Sequence, residues 1–362
     1  MKAKAAVFLG AGRPFELREF PLSEVEPGAI LVKVRMSTIC GSDLHSWQGK
    51  RKVPLPIILG HEIVGEIEEI GEGVNRDVLG NRLVKGDRIT WTIMANCGRC
   101  YYCRMKGLPQ KCLNLFKYGH ESCQHPPYLN GGLAEYIYLK PGTGIFKIPE
   151  ELSDEEITPI NCALATVVNG LETIEIQPED NVVVQGAGML GINAVVLLRE
   201  RGAGKIISLD KDQQRLELAE KFGADEIINV SQKEPAEVIS LIKDLTGGYG
   251  ADVVIEVSGV PSVIPQGIEM LRIGGRYLLI GTVFPQANFT LDGYLITTKM
   301  ITIKGVHNYE TRHLGEGLGF VARTHNKYHF SELVTHRFNL QEVDQAFAVA
   351  SNRQAIRVAI VP

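Results

Sequence analysis

The chain has 362 residues, more than one ordinary hydrophobic core accommodates, which predicts about two domains. Hydrophobic residues make up 44% and charged residues 22%, the proportions of a soluble globular protein. A net charge of −4 provides no basic face and argues against a nucleic-acid partner. The apolar run at 5–9 is too short for a signal peptide and no later run could cross a bilayer, so we expect a cytoplasmic protein with no membrane partner.

The N-terminal region alternates short apolar runs with turn residues, a pattern that predicts antiparallel strands. Runs of this kind occupy 5–9, 15–20, 29–36, 63–70 and 88–93. Gly10-Ala11-Gly12 resembles a nucleotide-binding turn, but Arg13-Pro14 stands where a helix would begin, so a hairpin or loop is predicted. The alternation of apolar and turn residues fades from Cys97 to Gly132. A loop this long needs a cross-link that stabilises it or a function.

A capping box at Ser153-Asp154-Glu155-Glu156 predicts a helix that runs toward Val168 and carries Cys162. Strands and helices then alternate. Strands are predicted at 182–185, 205–210, 226–230, 252–257, 275–281 and near 301–306, with helices at 189–201, 212–222, 234–245 and 261–272. Alternation of this kind predicts an α/β fold with a parallel, doubly wound sheet.

The tail beyond Gly305 reverts to helix, strand and helix. Asn339 and Glu342 are a predicted cap before a helix at 343–350, and a closing strand is predicted at 356–360. This tail is too short to fold alone. We therefore expect one domain formed by residues 1–163 and 307–362, interrupted by a second domain of residues 164–306.

The stretch Val182–Gly191 joins an apolar strand to a glycine-rich turn and a helix. Gly186 permits the tight turn, Gly188 lets the backbone approach a pyrophosphate, and Gly191 lets the helix pack on the strand. This motif alone is weak evidence for dinucleotide binding, so a glycine-rich turn that binds no ligand is the alternative.

An acid strengthens the dinucleotide interpretation of that turn. Asp210 ends the next predicted strand, at the distance where an acid binds the adenosine ribose hydroxyls. Met189 and Leu190 open the helix, whose N-terminal N–H groups favour an anion. The acid favours NAD over NADP, because a 2′-phosphate would meet its carboxylate, and Arg215 would soften that preference if it also faces the ribose.

The seven cysteines are clustered by spacing, which favours metal ligation in a reducing compartment over a disulfide framework. Four thiols share one short loop: Cys97, Cys100, Cys103 and Cys112. Four sulfurs suit a closed, tetrahedral structural zinc site. An iron–sulfur centre is the alternative, although nothing else in the sequence suggests one-electron chemistry.

Cys40, His61 and Cys162 make a different set. A cysteine, a histidine and a cysteine with an open fourth position form an alcohol-dehydrogenase type of catalytic zinc site. Singly, His61 could be a turn histidine and Cys162 a small core residue. The assignment therefore depends on the whole set.

Over essentially its whole length the chain resembles a zinc-dependent medium-chain dehydrogenase/reductase of the alcohol dehydrogenase superfamily. Gly60-His61-Glu62, followed by Gly65, Gly71 and Val74, matches the zinc alcohol dehydrogenase signature without a gap. The stretch from Cys40 to His45 resembles the family's first-ligand loop. The pattern is similar to a bacterial subgroup that includes dehydrogenases of cyclic secondary alcohols such as hydroxycamphor.

The resemblance implies a GroES-like β-barrel catalytic domain with a structural-zinc lobe at about 95–115, and a Rossmann domain. Ser42 would take the role of the proton-relay hydroxyl and His45 would pass the proton to solvent. Glu62 would sit behind the metal, and Thr166 would lie near the nicotinamide. Two zinc ions per subunit are implied, one catalytic and one structural.

The implied reaction is the reversible oxidation of a small-molecule alcohol, secondary and cyclic in that subgroup, to a ketone or aldehyde, with hydride transfer to NAD. Zinc would lower the pKa of a bound hydroxyl. Polyol, threonine or aldehyde substrates remain alternatives, as does a non-catalytic zinc- and nucleotide-binding protein. The sheet edge at Ile301–Val306 predicts a homodimer or homotetramer.

Two features depart from the family pattern. The gap between Cys103 and Cys112 is one residue longer than in most members. The segment Phe116–Gly132, which contains His120, Cys123 and His125, either shapes the substrate entrance or is a plain surface loop. Cys123 has no assigned role.

Overall fold

The structure is a computed structural model that describes residues 2–352 and 355–362. It divides into two compact units, one formed by Met1–Ala165 with Tyr309–Pro362 and the other by Thr166–Asn308. Within the described residues, no helix has both the length and the apolar character needed to cross a membrane.

The N-terminal part of the first unit consists mainly of short antiparallel strands, as the alternating runs predict. They are β1 (Lys2–Phe8), β2 (Glu16–Pro21), β3 (Ile30–Thr38), β4 (Ile57–Ile58), β5 (Glu62–Ile70), β6 (Arg88–Ala95), β7 (Phe116–Lys117), β8 (Tyr136–Leu139) and β9 (Thr143–Lys147). Strand β1 pairs with β2 and β4. Residues 10–12 form a bend and turn, which confirms the predicted loop.

The pairing of β3 with β5 sets up the chemistry of this unit. Thr38, the last residue of β3, lies opposite Glu62, the first residue of β5. Since the pair is antiparallel, the end of β3 and the start of β5 share one edge of the sheet. Cys40 and His61 lie just beyond those two ends and are brought to that edge together. The fully buried Trp91 lies in the core of this sheet with Ile63 and Ile137.

The N-terminal part also contains the α-helices α1 (Gly41–Trp47), α2 (Tyr101–Arg104) and α3 (Asp154–Ile157), and a 3-10 turn at Pro109–Lys111. The capping box of α3 is confirmed, because Ser153 Oγ accepts from Glu156 N and Glu156 Oε2 accepts from Ser153 N. The prediction of one continuous helix from there toward Val168 is wrong. A π-helical turn at Ile160–Leu164 separates α3 from α4 (Ala165–Thr173). Pro159 has no N–H to continue the helical ladder, which accounts for the break.

The second unit holds the alternating strands and helices. The strands are β10 (Val182–Gln185), β11 (Ile206–Asp210), β12 (Glu226–Asn229), β13 (Ala251–Glu256), β14 (Leu271–Leu279) and β15 (Thr302–Gly305). The helices are α5 (Met189–Glu200), α6 (Gln213–Lys221), α7 (Pro235–Leu245), α8 (Val263–Met270) and α9 (Gly293–Thr298), the last of which was not predicted.

All neighbouring strands of this second sheet pair in parallel, in the order β12-β11-β10-β13-β14-β15. The order reverses direction between β10 and β13, which is the arrangement of a doubly wound dinucleotide fold. The predicted fold class is confirmed for this unit. Buried strand residues such as Val183, Ile207 and Val254 form its core.

The tail contains α10 (Thr311–Thr324), β16 (Val334–Asn339), α11 (Val343–Ser351) and β17 (Arg357–Val361). Asn339 N donates to Glu342 Oε2 at 2.9 Å, so the predicted cap is confirmed, although a 3-10 turn at Leu340–Glu342 intervenes before α11. Strand β17 pairs antiparallel with β3, where Ala359 lies opposite Thr38. The tail therefore adds strands to the sheet that carries Cys40.

Candidate active site

Cys40, His61 and Cys162 converge in the first unit. Their ligand atoms all lie within 4.8 Å of one another. The Cys40 and Cys162 Sγ atoms are 3.9 Å apart, and His61 is almost fully buried. Cys162 reaches the group from the π-helical turn, an irregularity that occurs often at functional sites. Three residues that are distant in sequence thus present two sulfurs and one imidazole nitrogen to a single point.

Asp43 holds the imidazole of His61 in place. Its Oδ1 lies 3.3 Å from His61 Nδ1, and its two oxygens also accept from the backbone N–H groups of Cys40 and Gly60 at 2.9 and 3.3 Å. Burial opposes a charged imidazole, but the Asp43 carboxylate outweighs that effect and raises the pKa of His61 to about 10. With Nδ1 turned to Asp43, Nε2 is the nitrogen directed to a ligand.

Behind this group lies a buried ion pair. Glu62 is completely buried and accepts from Arg357 Nη2 at 2.7 Å and from Thr38 Oγ1 at 2.6 Å. Burial raises the pKa of Glu62 to about 8 against the opposing effect of Arg357. Arg357 Nη2 also lies 3.8 Å from Cys40 Sγ. The neighbouring Cys162 thiol and then Arg357 lower the pKa of Cys40 well below its ordinary value.

The two residues of the expected proton relay lie on α1. Ser42 Oγ is 3.4 Å from His61 Nε2, so its hydroxyl adjoins the three-ligand group. His45, one turn further along, is partly exposed. Burial, and then Lys50, lower the pKa of His45. Thr166, the first residue of the second unit, is buried on α4.

The four cysteines of the long loop form a second group. The Sγ atoms of Cys97, Cys100, Cys103 and Cys112 all lie within 4.8 Å of one another. The amides of Cys97 and Asn114 donate to Cys112 Sγ, each at 3.3 Å. The Arg99 amide, and then the Cys112 thiol, lower the pKa of Cys97 to about 6. The longer spacing before Cys112 does not remove its sulfur from the group.

The glycine turn of the second unit leaves no room for larger residues at two positions. Gly186 has φ +112°, and an added Cβ would lie 2.9 Å from Ser258 N. A Cβ at Gly191 would lie 1.9 Å from Gly186 O. At Gly188, the nearest atom to an added Cβ is Arg215 Nη1, 3.7 Å away. The turn is therefore tight on its inner side and open at Gly188, as a pyrophosphate requires.

Asp210 lies beside that turn. Its Oδ2 accepts from Ala187 N at 2.7 Å, and its Oδ1 accepts from the amides of Lys211 and Asp212. Gly188 is the N-cap of α5, so Met189 and Leu190 occupy the first positions of that helix. The second unit thus brings the N-terminus of α5 and the Asp210 carboxylate to one edge of the sheet.

Several residues around the three-ligand group had no specific role predicted from the sequence. Arg51 Nη1 lies 2.8 Å from His120 Nε2, and the His120 ring centroid is 5.1 Å from that of His61. Tyr118 and Cys123 are buried, so the segment Phe116–Gly132 is not a plain surface loop. Asp43 lies within the stretch from Cys40 to His45, but no role was predicted for it. Arg357 carried no sequence signal, since it lies 295 positions from Glu62.

Comparison with known proteins identifies the family. Residues 26–150 match the family described as alcohol dehydrogenase GroES-like domain, and residues 190–323 match that described as zinc-binding dehydrogenase. A 5-exo-hydroxycamphor dehydrogenase of Pseudomonas putida is 31% identical over 99% of this chain and 98% of its own. The chain belongs to the zinc-dependent alcohol dehydrogenases.

Further members of the family are similar over the whole chain. An L-threonine 3-dehydrogenase of Burkholderia cenocepacia is 32% identical over 99% of both chains. The crystal structure of an alcohol dehydrogenase from Thermotoga maritima has a TM-score of 0.94 at 34% identity and covers 100% of both chains. A zinc-binding dehydrogenase from Sinorhizobium meliloti bound to NADP has a TM-score of 0.87 at 26% identity, again over 100% of both.

These findings confirm the expected family, the GroES-like and Rossmann fold class, and an alcohol-dehydrogenase type of enzyme that acts on a small-molecule substrate. They also confirm zinc and a nicotinamide cofactor at the level of the family. The donor sets suit zinc, because thiolates and imidazole are its preferred ligands and the sulfurs are close enough to share one ion. The loop group offers the four ligands of a closed zinc site, whereas the other group offers three.

Proposed function

We propose that this protein catalyses the reversible oxidation of a secondary alcohol to a ketone, with transfer of the hydride to NAD. One observation supports the proposal above all: the ligand atoms of Cys40, His61 and Cys162 lie within 4.8 Å of one another, with the Ser42 hydroxyl 3.4 Å from His61 Nε2. A hydroxyl beside such a group is placed to accept the proton that an alcohol releases.

Each residue of the group has its own part in this proposal. Cys40, His61 and Cys162 hold the catalytic zinc, which when bound supplies positive charge that lowers the pKa of an alcohol hydroxyl. Ser42 accepts the proton, and His45 carries it toward solvent from its partly exposed position. Asp43 fixes the ring of His61, and Glu62, paired with Arg357, would lie behind a bound metal. The four thiols of the loop hold a structural ion, so each subunit binds two.

Cofactor binding is assigned to the second unit. Gly186, Gly188 and Gly191 shape the turn for the pyrophosphate, which the first amides of α5 at Met189 and Leu190 approach. Asp210 binds the ribose hydroxyls and favours NAD, Arg215 adjoins the turn, and Thr166 lies near the nicotinamide. The domain boundaries that we propose are 163/164 and 306/307.

The preference for NAD has a direct test. Asp210→Ser should lower the ratio of kcat/KM with NAD to kcat/KM with NADP, because the carboxylate that repels a 2′-phosphate is removed. Glu217→Gln on the same helix as Arg215 is a control that should leave the ratio unchanged. Wild-type efficiency with NADP equal to that with NAD would contradict the assignment.

A substrate panel tests the reaction itself. Primary, secondary cyclic, polyol and amino-acid alcohols are supplied with NAD and with NADP, and reduced nicotinamide is measured by absorbance at increasing substrate concentration. A secondary alcohol should give the highest kcat/KM, whereas a polyol or threonine at the top of the panel would favour those alternatives. Absence of reduced nicotinamide with every alcohol, in protein that contains zinc, would overturn the proposal.

Two further proposals concern the oligomeric state of the enzyme and its location in the cell. We expect a homodimer or homotetramer that pairs along the edge strand β15, since exposed strand edges invite pairing with a second copy. Sedimentation as a monomer at micromolar concentration would contradict this. The described cysteines of the two metal-ligand groups form no disulfide, which suits a reducing compartment, and we place the protein in the cytoplasm.

A further inference from the structure

The π-helical turn that carries Cys162 is hydrogen-bonded by a side chain from the tail. Within the turn, the amide of Ala165 donates to Ile160 O and Cys162 O. The carbonyl between these two, that of Asn161, accepts from the Tyr309 hydroxyl. Asn161 is completely buried, and buried carbonyls require a donor. Tyr309 therefore supplies a hydrogen bond to the backbone directly before the cysteine.

The Tyr309 hydroxyl also connects this turn to the sheet. Its oxygen accepts from Ile93 N of β6 at 3.2 Å. A backbone N–H can only donate and a carbonyl oxygen can only accept, so the phenolic proton is directed to Asn161 O. Tyr309 is fully buried and begins the segment that returns to the first unit. One hydroxyl thus bridges β6 and the π-helical turn.

The side chain of Asn161 makes a second connection to the sheet. Its Nδ2 donates to Trp91 O on β6 at 3.2 Å and to Ile63 O on β5 at 3.5 Å. Ile63 lies two residues after His61, so this amide links the strand that follows one ligand to the turn that carries another. The residue before Cys162 is held at both its backbone carbonyl and its side chain.

The position of the Cys162 sulfur depends on the shape of this turn. An α-helical turn contains one residue fewer than a π-helical turn, and one residue corresponds to a rotation of about 100° around the helix axis. The Sγ atoms of Cys40 and Cys162 are 3.9 Å apart. Two zinc–sulfur bonds at a tetrahedral angle place their sulfurs roughly 3.8 Å apart. A change to α-helical hydrogen bonding would therefore move the sulfur away from a position that suits zinc.

We propose that Tyr309 is a positioning residue for the reaction. Its hydroxyl, together with the Asn161 side chain, fixes the π-helical turn and so holds Cys162 Sγ where one zinc ion can bind both it and Cys40. The inference rests on the proposed function, because it takes Cys162 as a ligand. Tyr309 acts through Asn161 and the turn, and its contribution is to keep the ligand set in place before the metal binds.

Zinc affinity of the holoenzyme tests the proposal. Tyr309→Phe keeps the ring and removes only the hydroxyl. Competition with a chelator should show that the catalytic ion binds about tenfold more weakly or worse, the range for loss of a supporting residue, whereas the loop ion keeps its wild-type affinity. Cys162→Ala identifies which ion is the catalytic one. Tyr138→Phe is the matched control, since its buried hydroxyl accepts from Glu26 N, and it should leave both affinities unchanged.

Cobalt provides a readout that a purely structural role would not change. Both sites are loaded with Co²⁺ and imidazole is added, which only the site with three protein ligands has room to bind, so the visible difference spectrum reports that site alone. Tyr309→Phe should shift these bands and lower kcat while KM for NAD stays unchanged. Tyr138→Phe should give the wild-type spectrum. A lower Tm in Tyr309→Phe with wild-type zinc affinity and cobalt bands would overturn the proposal.

A second variant removes the other connection. Asn161→Ala keeps the carbonyl that Tyr309 binds but loses the bond to Trp91 O, and it should also weaken binding of the catalytic ion. If Tyr309→Phe does not fold, Asn161→Ala decides, and wild-type zinc affinity in that variant would reject the proposal.

Failure of this inference is distinguishable from failure of the proposed function. Weaker catalytic zinc in Tyr309→Phe, in a protein whose wild type oxidises no alcohol, would support the inference and reject the reaction. Wild-type affinity for both ions in Cys162→Ala would show that Cys162 is not a ligand and would overturn the inference. The alcohol panel would then still decide the reaction.

Discussion

The two metal-ligand groups differ in how the chain assembles them. Cys97 and Cys112 lie 15 positions apart and the other two sulfurs lie between them, so one loop supplies the whole set. Cys40 and Cys162 lie 122 positions apart, and His61 comes from a third stretch. The loop group needs only local folding, whereas the three-ligand group exists only when the sheet and the π-helical turn are in place.

Their immediate partners differ as well. In the loop, backbone amides such as those of Cys97 and Asn114 donate to a sulfur. Around the three-ligand group, side chains supply the support, through the Asp43 contact with His61 and the Glu62 bond to Arg357. This difference predicts that bound metal stabilises the loop. The folded protein, by contrast, should position the three catalytic ligands before the metal binds.

The largest expected effect is the loss of activity in Cys162→Ala. Removal of a direct ligand should lower alcohol oxidation by more than about 100-fold, beyond the range of losses seen when only a supporting residue is changed. Solubility, NAD binding and the loop's zinc should persist, because the rest of the fold supports them. The measurements are zinc per subunit, NAD affinity by titration and turnover on the best alcohol.

Cys123→Ala, a buried cysteine outside both groups, is the control for the preceding change and should keep both zinc ions. Near wild-type turnover in Cys162→Ala would mean that another side chain, such as Glu62, completes the site. Unfolding would mean that Cys162 is a core residue whose sulfur only fills space. Cys162→Ser should retain some metal, since a hydroxyl is a poorer ligand than a thiolate.

A smaller effect is expected from Asp43→Asn. The amide keeps the shape of the side chain but removes the charge that orients His61, and changes of this kind reduce zinc affinity or activity by roughly 10- to 100-fold. Glu68→Gln, in an exposed pair with Lys85, removes a carboxylate elsewhere and should have no effect on zinc. Unchanged zinc affinity in Asp43→Asn would show that side-chain support does not distinguish the two groups.

Cys112→Ser should leave the chemistry of the folded enzyme nearly intact and act on the loop. We expect the loss of about one zinc ion per subunit and a lower Tm, because a structural zinc contributes folding free energy directly. Limited proteolysis should cut within residues 95–115, which the metal no longer holds. Cys123→Ser should lose no zinc. An unchanged zinc content and Tm in Cys112→Ser would show that the longer spacing places Cys112 outside the site.

The sequence predicted most of the regular elements because their periodicities are local. Alternating runs located β1, β3, β5 and β6, and the strand and helix alternation located the doubly wound sheet. The spacing of the four loop cysteines is likewise a local signal, so no knowledge of tertiary contacts is needed to find it. Cys40, His61 and Cys162 were predicted only as a set, by its fit to a catalytic zinc site.

What the sequence could not predict depends on distant partners. Arg51 and His120 are 69 positions apart, and Glu62 and Arg357 are 295 apart, so no local pattern connects them. The π-helical turn was missed because its apolar residues also fit an ordinary helix, although Pro159 was a signal for a break. The burial of the segment Phe116–Gly132 was missed because its prolines and glycines are also typical of exposed loops.

The smallest expected effect concerns Ser153, which caps the helix before the Cys162 turn. Its Oγ accepts from Glu156 N at 3.3 Å, and loss of such a cap costs about 1 kcal/mol. For a chain of 362 residues, Tm should fall by about 1–2 °C in Ser153→Ala. Ser153→Asp, which retains a capping oxygen, is the control and should recover most of that loss.

Zinc content should stay unchanged in Ser153→Ala although Tm falls. This variant is the most sensitive test of the difference between the two metal-ligand groups. The Cys162 turn has anchors of its own, since Asn161 Nδ2 donates to Trp91 O at 3.2 Å and the Tyr309 hydroxyl donates to Asn161 O. These bonds tie the turn to β6 and to the tail independently of α3. Two zinc ions per subunit and unchanged kcat are therefore expected in the variant. Loss of the catalytic ion alone would show that the cap positions Cys162 and that the fold holds this group less firmly than its side-chain contacts indicate.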